Sequence, residues 1–214
     1  MADFGLRTSD LALSFGLTGG AACGKSTVAR YFQDLGACII DADRVGHDLI
    51  EPGQAAYREI LAHFGKDILD SSGRIDRKKL GPQVFRDPQR LGVLNAILHP
   101  RIIARVQELA AEQQRRNAHA VVIVDAALLF ESGLSGTLRK VMVAWCRPEQ
   151  QLERLMAKSG VSREEAEGRI RAQMSVEEKR RRADYVIDCS GSMEETRRQA
   201  EQLFRELQTL AGQG

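Results

Sequence analysis

Residues 15–27 read FGLTGGAACGKST, so that glycines, a lysine and hydroxyl side chains follow a short apolar run. Within this stretch, Gly19, Gly24, Lys25 and Ser26 match the phosphate-binding pattern G-x-x-x-x-G-K-[ST] in full. Glycines let the backbone curve so that successive N–H groups point at one anion, and a following helix adds its positive N-terminal end. Lys25 supplies a mobile cation for terminal phosphates, and Ser26 offers a hydroxyl to Mg²⁺. The segment therefore predicts a binding site for a nucleoside triphosphate with Mg²⁺.

Aspartates follow two further apolar runs that are typical of buried strands. Asp125 closes AVVIVD at 120–125 and is placed to bind Mg²⁺ directly or through water, with a strand-end cap as the alternative. Asp41 and Asp43 follow ACII at 37–40, and ligands of open α/β sheets bind beyond such carboxyl ends. A carboxylate there can accept the proton of a substrate hydroxyl, although both residues could instead belong to a turn or cap a helix. The pattern predicts an acceptor site without choosing between Asp41 and Asp43.

A charged segment, residues 158–182, has the composition of a lid over a bound nucleotide. Its basic residues alternate with glutamates, so it could close over ATP and bring arginines to the charge that develops during transfer. The alternative for most of these residues is a solvated helix face with ion pairs four residues apart. The basic residues of this lid segment include Arg163, Arg169, Arg171, Lys179, Arg180, Arg181 and Arg182.

These features favour a small-molecule kinase over other nucleotide-binding proteins. A GTPase would carry an Asn/Thr-Lys-x-Asp guanine motif, which the sequence lacks, and the D-x-x-G match at 70–73 lies in a polar turn. An ATP-driven motor would be longer or carry assembly signatures. A regulator that binds nucleotides without turnover would need neither an acceptor-side carboxylate nor lid arginines. Within the kinase class, the alternatives are acceptors such as another nucleotide or a small alcohol.

The apolar runs alternate with helical patterns, which predicts an α/β fold with a parallel sheet covered on both faces. We expect helices that begin at Lys25 and at Pro148, and an amphipathic helix over 193–210. The expected strands are 11–17, 37–40, 120–125, 141–145 and 185–188. Together these elements predict a three-layer P-loop kinase fold with a five-stranded parallel sheet.

Residues 44–117 interrupt this alternation and predict a helical insertion between two strands. Pro100 suits the first turn of a separate helix, which His99 would cap unless it contacts a ligand. The expected helices are 44–50, 57–64, 77–84 and 88–98, followed by the one that starts at Pro100. The expected organisation is a nucleotide-binding core formed by 11–43, 118–157 and 183–212, the insertion at 44–117 and the lid segment at 158–182.

Composition argues against several classes of protein. The 214 residues carry a formal net charge of +2, whereas a dedicated nucleic-acid surface usually shows a strong basic excess. No apolar run approaches the roughly 18 residues of a membrane span, and the N-terminus lacks the pattern of a secretory signal. We therefore expect a cytoplasmic protein whose partners are small molecules, with no nucleic-acid or membrane partner and an oligomeric state that the sequence leaves open.

The four cysteines, Cys23, Cys38, Cys146 and Cys189, are scattered and form no C-x-x-C pair. This spacing favours small apolar residues in a reducing compartment over a zinc site or a disulfide framework. Cys23 differs from the others because it lies in the phosphate-binding loop, where a helix N-terminus and a lysine favour a thiolate. We therefore expect alkylation of Cys23 to inactivate the protein and ATP to protect it.

Six segments together resemble the dephospho-coenzyme A kinase family over residues 13–210, nearly the whole chain. Many kinases share the phosphate-binding loop, whereas the Asp-Ala-Asp, His-Pro and D-x-x-LLFE segments are far more specific. The resemblance implies that ATP phosphorylates the ribose 3′-hydroxyl of dephospho-CoA, giving coenzyme A and ADP, and that 44–117 is a CoA-binding domain. The segments are LTGGAACGKSTV at 17–28, IDADRVGH at 40–47, LHPRI at 98–102, DAALLFE at 125–131, RIRAQ at 169–173 and ADYVIDCSG at 183–191.

The same resemblance implies roles for individual residues. Asp43 would be the base that faces the 3′-hydroxyl, and Arg154 and Arg169 would lie near the ATP phosphates, on the core edge and the lid. The segment after Ile187 would lie along the adenine. His47, one helical turn after Asp43, could face the substrate, or pack or cap a helix. The ATP phosphates would be bound by Gly19, Gly20, Ala21, Ala22, Cys23, Gly24, Lys25, Ser26 and Thr27.

Three positions depart from the family pattern. Ala127 stands where proline is usual, which predicts a less rigid loop after Asp125. Lys158 stands where a second arginine is common, so the charge is kept but bidentate geometry is lost. Cys189 stands where asparagine is common, which puts any side-chain contact to the adenine at this position in doubt. None of the three changes removes a group that phosphoryl transfer requires.

Overall fold

A computed structural model describes residues 14–85 and 87–212 of the chain. Five strands form one sheet, namely β1 Phe15–Gly19, β2 Cys38–Asp41, β3 Val122–Asp125, β4 Lys140–Trp145 and β5 Tyr185–Asp188. Their order is β2-β3-β1-β4-β5, and every neighbouring pair is parallel. The predicted five-stranded parallel sheet is therefore confirmed. Part of the expected first strand, residues 11–13, lies outside the described residues.

Two helices, α1 Lys25–Asp34 and α9 Met193–Ala211, cover one face of the sheet. Their buried residues recur at helical spacing, and this apolar stripe packs on the strands. The rings of Phe32 in α1 and Phe204 in α9 lie in this cluster with their centroids 6.4 Å apart. The two helices and one sheet face thus form the main core. This packing holds α1, and with it the loop that joins β1 to α1, against the sheet.

Helices α6 Pro148–Ser159, α7 Arg163–Arg171 and α8 Val176–Arg182 follow β4. Of these, α6 packs on α7, and α8 packs on β1 and β4. Val176 of α8 is buried together with Cys23 and Cys146, so the last part of the lid segment contributes to a core cluster. Helices therefore lie on the sheet in the manner that the α/β pattern predicts.

The chain forms two compact units, one being Ala42–Glu108 and the other the described residues before and after it. The smaller unit contains α2 Ala42–Asp48, α3 Ala55–Phe64, α4 Arg77–Phe85 and the first part of α5 Pro88–Arg116. It has an apolar core of its own, which includes Ile60, Ile68 and Ile97. Its helices can therefore hold side chains for a ligand on a packed scaffold.

The expected break before Pro100 is wrong, because α5 continues through this proline. Proline removes one backbone hydrogen bond and normally weakens a helix at that turn. Next to the proline, the Arg101 guanidinium donates to the Ile97 carbonyl at 2.6 Å and to Glu59 Oε2 at 2.6 Å. His99 consequently lies inside a helix, and its expected role as the cap of a new helix is wrong.

Candidate active site

The phosphate-binding loop, residues 19–27, runs from the end of β1 into the first turn of α1. Its backbone takes the left-handed conformation at Ala22 (φ 61°) and Gly24 (φ 99°). A Cβ atom at Gly24 would lie 3.1 Å from the Cys189 side chain, so both backbone geometry and space favour glycine there. No side chain caps the start of α1, and the Thr27 N–H donates to the Gly24 carbonyl at 2.9 Å, so an anion here would meet the N–H groups that precede Thr27.

A cavity of about 680 Å³ lies against this loop. It is lined by the loop residues 19–22 and 24–27, by Arg154 and Lys158 of α6, and by Gln173 after α7. Backbone N–H groups at a helix N-terminus and side-chain cations share this cavity, which is a combination that suits a polyphosphate. Its lining is completed by Ala127, Ala157, Cys189, Gly191, Met193 and Thr196.

Lys25 and Asp125 form an ion pair at this loop, with Lys25 Nζ 2.5 Å from Asp125 Oδ1. Their side chains are only 18% and 11% exposed, so the pair is largely shielded from solvent. Asp125 stands in register with Leu17 of β1, which explains how the end of β3 meets the loop that leaves β1. The structure thus brings the predicted phosphate-side lysine and the predicted metal-side aspartate together.

Ser26 and Asp125 offer the oxygen donors that Mg²⁺ prefers. Ser26 is exposed in the first turn of α1, and Asp125 contacts Lys25 in that same turn. Among residues 14–85 and 87–212, no group of three or more His, Cys, Asp or Glu side chains could hold a metal. A cation here would therefore need phosphate oxygens and water as further ligands, which is the usual way in which Mg²⁺ binds with a nucleotide.

The two acceptor-side carboxylates lie in different elements. Asp41 is the exposed last residue of β2 and stands in register with Asp125 of β3. Asp43 lies in the first turn of α2, where it is exposed, and belongs to the smaller unit. In that unit burial lowers the pKa of Arg77, and the negative charge of Asp43 opposes this shift. Asp41 therefore belongs to the strand edge, whereas Asp43 belongs to a helix that has an arginine nearby.

The two predicted arginines differ in their surroundings. Arg154 lines the cavity, and its Nη1 donates to the Cys189 carbonyl at 2.9 Å. Arg169 instead donates to Glu165 at 2.9 Å, one turn earlier on α7, and its side chain is about half exposed. The structure brings Arg154 to the cavity, while Arg169 is paired on a helix surface.

Lys179 of the lid segment does not lie on a solvated helix face, because its side chain is fully buried. Its Nζ donates to the Ala127 carbonyl at 2.5 Å and lies 3.2 Å from Glu131 Oε1. Glu131 also accepts a hydrogen bond from the Met174 N–H at 2.9 Å, and Thr18 Oγ1 donates to the Ala127 carbonyl at 3.2 Å. Hydrogen bonds thus hold the loop after β3, where the family usually has proline.

The expected thiolate at Cys23 is also wrong. The side chain is fully buried, and its Sγ lies 2.9 Å from Cys146 Sγ. The hydrogen bond to Cys146 and burial raise the pKa of the Cys23 thiol well above its usual range. Cys23 is therefore shielded from bulky alkylating reagents, although its backbone belongs to the phosphate-binding loop.

The two predicted histidines lie in the smaller unit. His47 is exposed on α2 and borders a cavity of about 190 Å³ that Arg74 and Arg77 also line. His99 is half-buried within α5, and burial lowers its pKa. The cavity beside His47 is thus lined by carboxylates (Glu51 and Asp70) as well as by arginines, and Arg74 is paired with Glu51 at 3.3 Å.

Two glutamines near the phosphate-binding loop were missed by sequence reasoning. Gln151 of α6 is buried, and a Cβ atom at Gly20 would lie 2.5 Å from its amide nitrogen. Gln173 lines the main cavity directly after α7. The RIRAQ segment contained Gln173 without singling it out, and neither residue type nor spacing marked Gln151.

A family model and curated sequences that match this chain both point to one family. A family model for dephospho-CoA kinase matches residues 13–195. A dephospho-CoA kinase of Carboxydothermus hydrogenoformans is 48% identical over 184 residues, which cover 86% of this chain and 89% of that protein. A dephospho-CoA kinase of Geobacillus kaustophilus is 44% identical over 202 residues, covering 94% and 99% of the two chains.

Solved structures give the same result for the fold. A protein from Thermus thermophilus superposes with a TM-score of 0.74 at 35% identity, covering 90% of this chain and 96% of that one. A dephospho-CoA kinase from Campylobacter jejuni superposes with a TM-score of 0.69 at 31% identity, covering 92% and 98%. Both likenesses extend over nearly the whole of each chain.

Proposed function

Because the chain belongs to the dephospho-CoA kinase family, we propose which of its residues carry out the reaction of that family. The enzyme transfers a phosphoryl group from ATP to the ribose 3′-hydroxyl of dephospho-CoA and gives coenzyme A and ADP. This is the final step of coenzyme A biosynthesis. The residue roles rest on one observation: the phosphate-binding loop, with its Lys25–Asp125 pair, borders a cavity of about 680 Å³.

In the proposed mechanism the loop binds and orients the ATP phosphates. The N–H groups of residues 19–27 surround the β- and γ-phosphates, and Lys25 exchanges Asp125 for a phosphate oxygen when the nucleotide enters. This exchange is reasonable because a triphosphate carries more negative charge than one carboxylate. Phosphoryl transfer asks little covalent chemistry of a protein, so positioning and charge neutralisation by these groups account for most of the catalysis.

Mg²⁺ is part of the proposal as the cation of the bound nucleotide. Ser26 Oγ and the Asp125 carboxylate would hold it, directly or through water, once Lys25 has moved to the phosphates. When bound, Mg²⁺ neutralises charge on the phosphate oxygens. The oxygen-only donor set of these two residues supports Mg²⁺ over softer metals.

Asp43 is the proposed general base. It would orient the 3′-hydroxyl and accept its proton as the new bond to phosphorus forms. Asp41 would lie along the bound acceptor without accepting the proton, since Asp43 stands where the family resemblance places the base and Asp41 instead stands in register with Asp125. His47 and His99 would contact the acceptor, and Arg77, which lines the same cavity as His47, would bind an anionic part of that substrate.

Arg154 and Arg169 are proposed to act at different stages. Arg154 already lines the cavity and would bind ATP phosphates on entry. Arg169 would leave Glu165 when the lid segment closes, so that its contact forms as charge develops during transfer. Closure would also exclude water and limit wasteful hydrolysis of ATP. This scheme treats 158–182 as the lid and 44–117 as the CoA-binding domain.

The partners follow from this reaction. They are the small molecules ATP and dephospho-CoA. Among the residues that the structure describes, no helix has the length and apolarity needed to cross a membrane. The four cysteines are free thiols, which supports a reducing compartment and therefore a cytoplasmic location as part of the proposal.

An acceptor panel tests the proposed function. Purified enzyme with Mg-ATP is supplied with dephospho-CoA, AMP, shikimate or gluconate, and ADP release is measured together with the mass of the product. We expect rapid turnover with dephospho-CoA and a product that is phosphorylated at the 3′-position. Turnover of AMP at the rate of dephospho-CoA would contradict the assignment of the acceptor.

A further inference from the structure

Cys23 and Cys146 form a pair of facing thiols that the proposed transfer does not use. Cys23 lies in the phosphate-binding loop and Cys146 directly follows β4, 123 residues later in the sequence. Their Sγ atoms are 2.9 Å apart, and both side chains are fully buried. We propose that a hydroperoxide joins Cys23 and Cys146 in a reversible disulfide, and that this disulfide weakens ATP binding by the phosphate-binding loop.

The geometry requires only a small movement. A disulfide has an S–S length of about 2.05 Å, so the two sulfurs must approach by roughly 0.9 Å. The other two cysteines are placed differently. Cys189 Sγ lies 3.6 Å from the Ile187 carbonyl, and Cys38 is in β2, at the edge of the sheet and three strands away from β4. Cys23 and Cys146 are therefore the pair that oxidation should join.

The surroundings give the two sulfurs different roles. The hydrogen bond with Cys23 and the nearby Arg154 guanidinium lower the pKa of the Cys146 thiol, although its burial opposes this shift. The same hydrogen bond, burial and the negative charge of Cys146 raise the pKa of Cys23. Cys146 is thus the attacking thiolate, and Cys23 is the resolving thiol.

The reaction balances with hydrogen peroxide as the two-electron oxidant. The Cys146 thiolate attacks one peroxide oxygen, the O–O bond breaks, and the departing hydroxide takes up a proton to leave as water. Cys23 sulfur then attacks the sulfenic sulfur of Cys146, the S–O bond breaks, and the leaving hydroxide takes the Cys23 proton to give a second water. Two thiols are oxidised to one disulfide and one peroxide is reduced to two waters. Burial of both sulfurs selects a small oxidant.

The disulfide would act on ATP binding through the loop backbone. Cys23 directly precedes Gly24, and its N–H donates to the Gly20 carbonyl at 3.1 Å. Gly20 packs closely on Gln151 and Gly24 packs closely on Cys189, so the loop has little room to absorb a shift of Cys23. A displacement of about 1 Å in such a cradle can cost about 100-fold in rate. We expect the disulfide to raise the Kd for ATP and to lower kcat/KM by about 10- to 100-fold; this effect rests on the proposed function.

Peptide mapping of the oxidised enzyme tests the covalent step. Full-length enzyme is treated with hydrogen peroxide, denatured in the presence of N-ethylmaleimide to block the remaining free thiols, and digested. Mass spectrometry is expected to detect the Cys23–Cys146 linked peptide. Dithiothreitol should reverse the link. The only tryptophan of the sequence, Trp145, packs in the same cluster, so its fluorescence should change as the link forms. Absence of the linked peptide, or a link to Cys189 instead, would overturn the proposal.

Binding of a non-hydrolysable ATP analogue tests the consequence. Before and after peroxide, its Kd is compared for the parent enzyme, Cys146→Ser and the matched control Cys38→Ser. The parent and Cys38→Ser should lose affinity about 10- to 100-fold in a dithiothreitol-reversible manner, and Cys146→Ser should keep its own starting value. A mapped disulfide with a Kd changed less than two-fold would overturn the proposal, as would equal loss in Cys146→Ser.

These measurements separate the proposal from the proposed function. Neither mapping nor analogue binding needs an acceptor, so an error in the acceptor assignment leaves their outcome unchanged. If Cys146→Ser does not fold, the map and the reversible change in Kd of the parent enzyme still decide the question.

Discussion

Asp41 and Asp43 are two residues apart, yet they belong to different elements, and this separation makes their roles distinguishable. Asp41 ends β2 beside Asp125, so its charge can influence the metal and the phosphates. Asp43 lies in the first turn of α2, with the Arg77 guanidinium within electrostatic reach. An asparagine at either position keeps size and most hydrogen bonding but cannot accept a proton. The base should therefore be identified by its effect on kcat rather than on ATP affinity.

Asp43→Asn should lower kcat by about 10²- to 10⁴-fold, the usual contribution of a general base, while the Kd for ATP stays nearly unchanged. Asp41→Asn is the matched control and should cost less. Steady-state rates with dephospho-CoA are compared for both variants, with melting curves to exclude unfolding. A folded Asp43→Asn enzyme with near-normal kcat would remove Asp43 from the mechanism.

Arg169→Ala should lower kcat by about 10²-fold, as loss of one donor to developing charge typically does. Its effect on ATP binding should be much smaller, because Arg169 is paired with Glu165 and lies outside the cavity lining. Arg171→Ala is the matched control, since Arg171 forms the equivalent pair with Glu167 on the same helix. The kcat and the Kd for ATP are measured for each variant. Equal kcat in the two variants, or a loss confined to ATP affinity, would show that Arg169 does not act during transfer.

At the scale of elements, α8 is the part of the lid segment that contacts the loop after β3. Its Lys179 is buried and holds the Ala127 carbonyl and Glu131, and Glu131 in turn accepts the Met174 N–H just before α8. Ala127 also lines the main cavity. The helix therefore holds this loop in place through side-chain hydrogen bonds and an ion pair.

Lys179→Met should destabilise the enzyme by about 1–3 kcal/mol, because it leaves a buried carbonyl and a carboxylate without their cation. It should also raise the KM for ATP, since the loop at Ala127 borders the nucleotide cavity. Arg181→Met on the same helix is the control, since Arg181 is 73% exposed and its loss should change stability little. Urea unfolding and the KM for ATP are measured for both. Equal stability of the two variants would contradict the structural role of Lys179.

At the scale of the whole molecule, the sequence predicted what local patterns determine. Apolar runs ending in Asp125 and in the phosphate-binding loop specify the strands and the ATP end of the site, because each depends on neighbouring residues. The facing sulfurs of Cys23 and Cys146 and the burial of Lys179 depend on contacts between distant parts of the chain. The contact of Arg101 with Glu59 also joins distant parts of the chain, next to Pro100, where α5 continues. Spacing along the chain carries no signal for such contacts.

The two compact units should respond to different ligands. The phosphate-binding loop and its cavity belong to the larger unit, whereas α2, Asp43 and the cavity bordered by His47 belong to Ala42–Glu108. A ligand that binds one unit reduces local opening there, which lowers amide hydrogen exchange in that unit first. We therefore expect Mg-ADP to protect residues 19–27, and dephospho-CoA alone to protect amides within 42–108.

Hydrogen exchange followed by mass spectrometry tests this division of labour. Each ligand is added separately at saturating concentration, and peptides from 42–108 are compared with peptides from 15–34.

Asp43→Asn is a useful second sample. It should lose turnover while keeping protection by both ligands if that carboxylate acts as the base and not mainly as a binding group. Shikimate is the acceptor control and should protect neither unit. Protection by dephospho-CoA that is confined to 19–27 would mean that it occupies the nucleotide site, and the helical unit would then not be the CoA-binding domain.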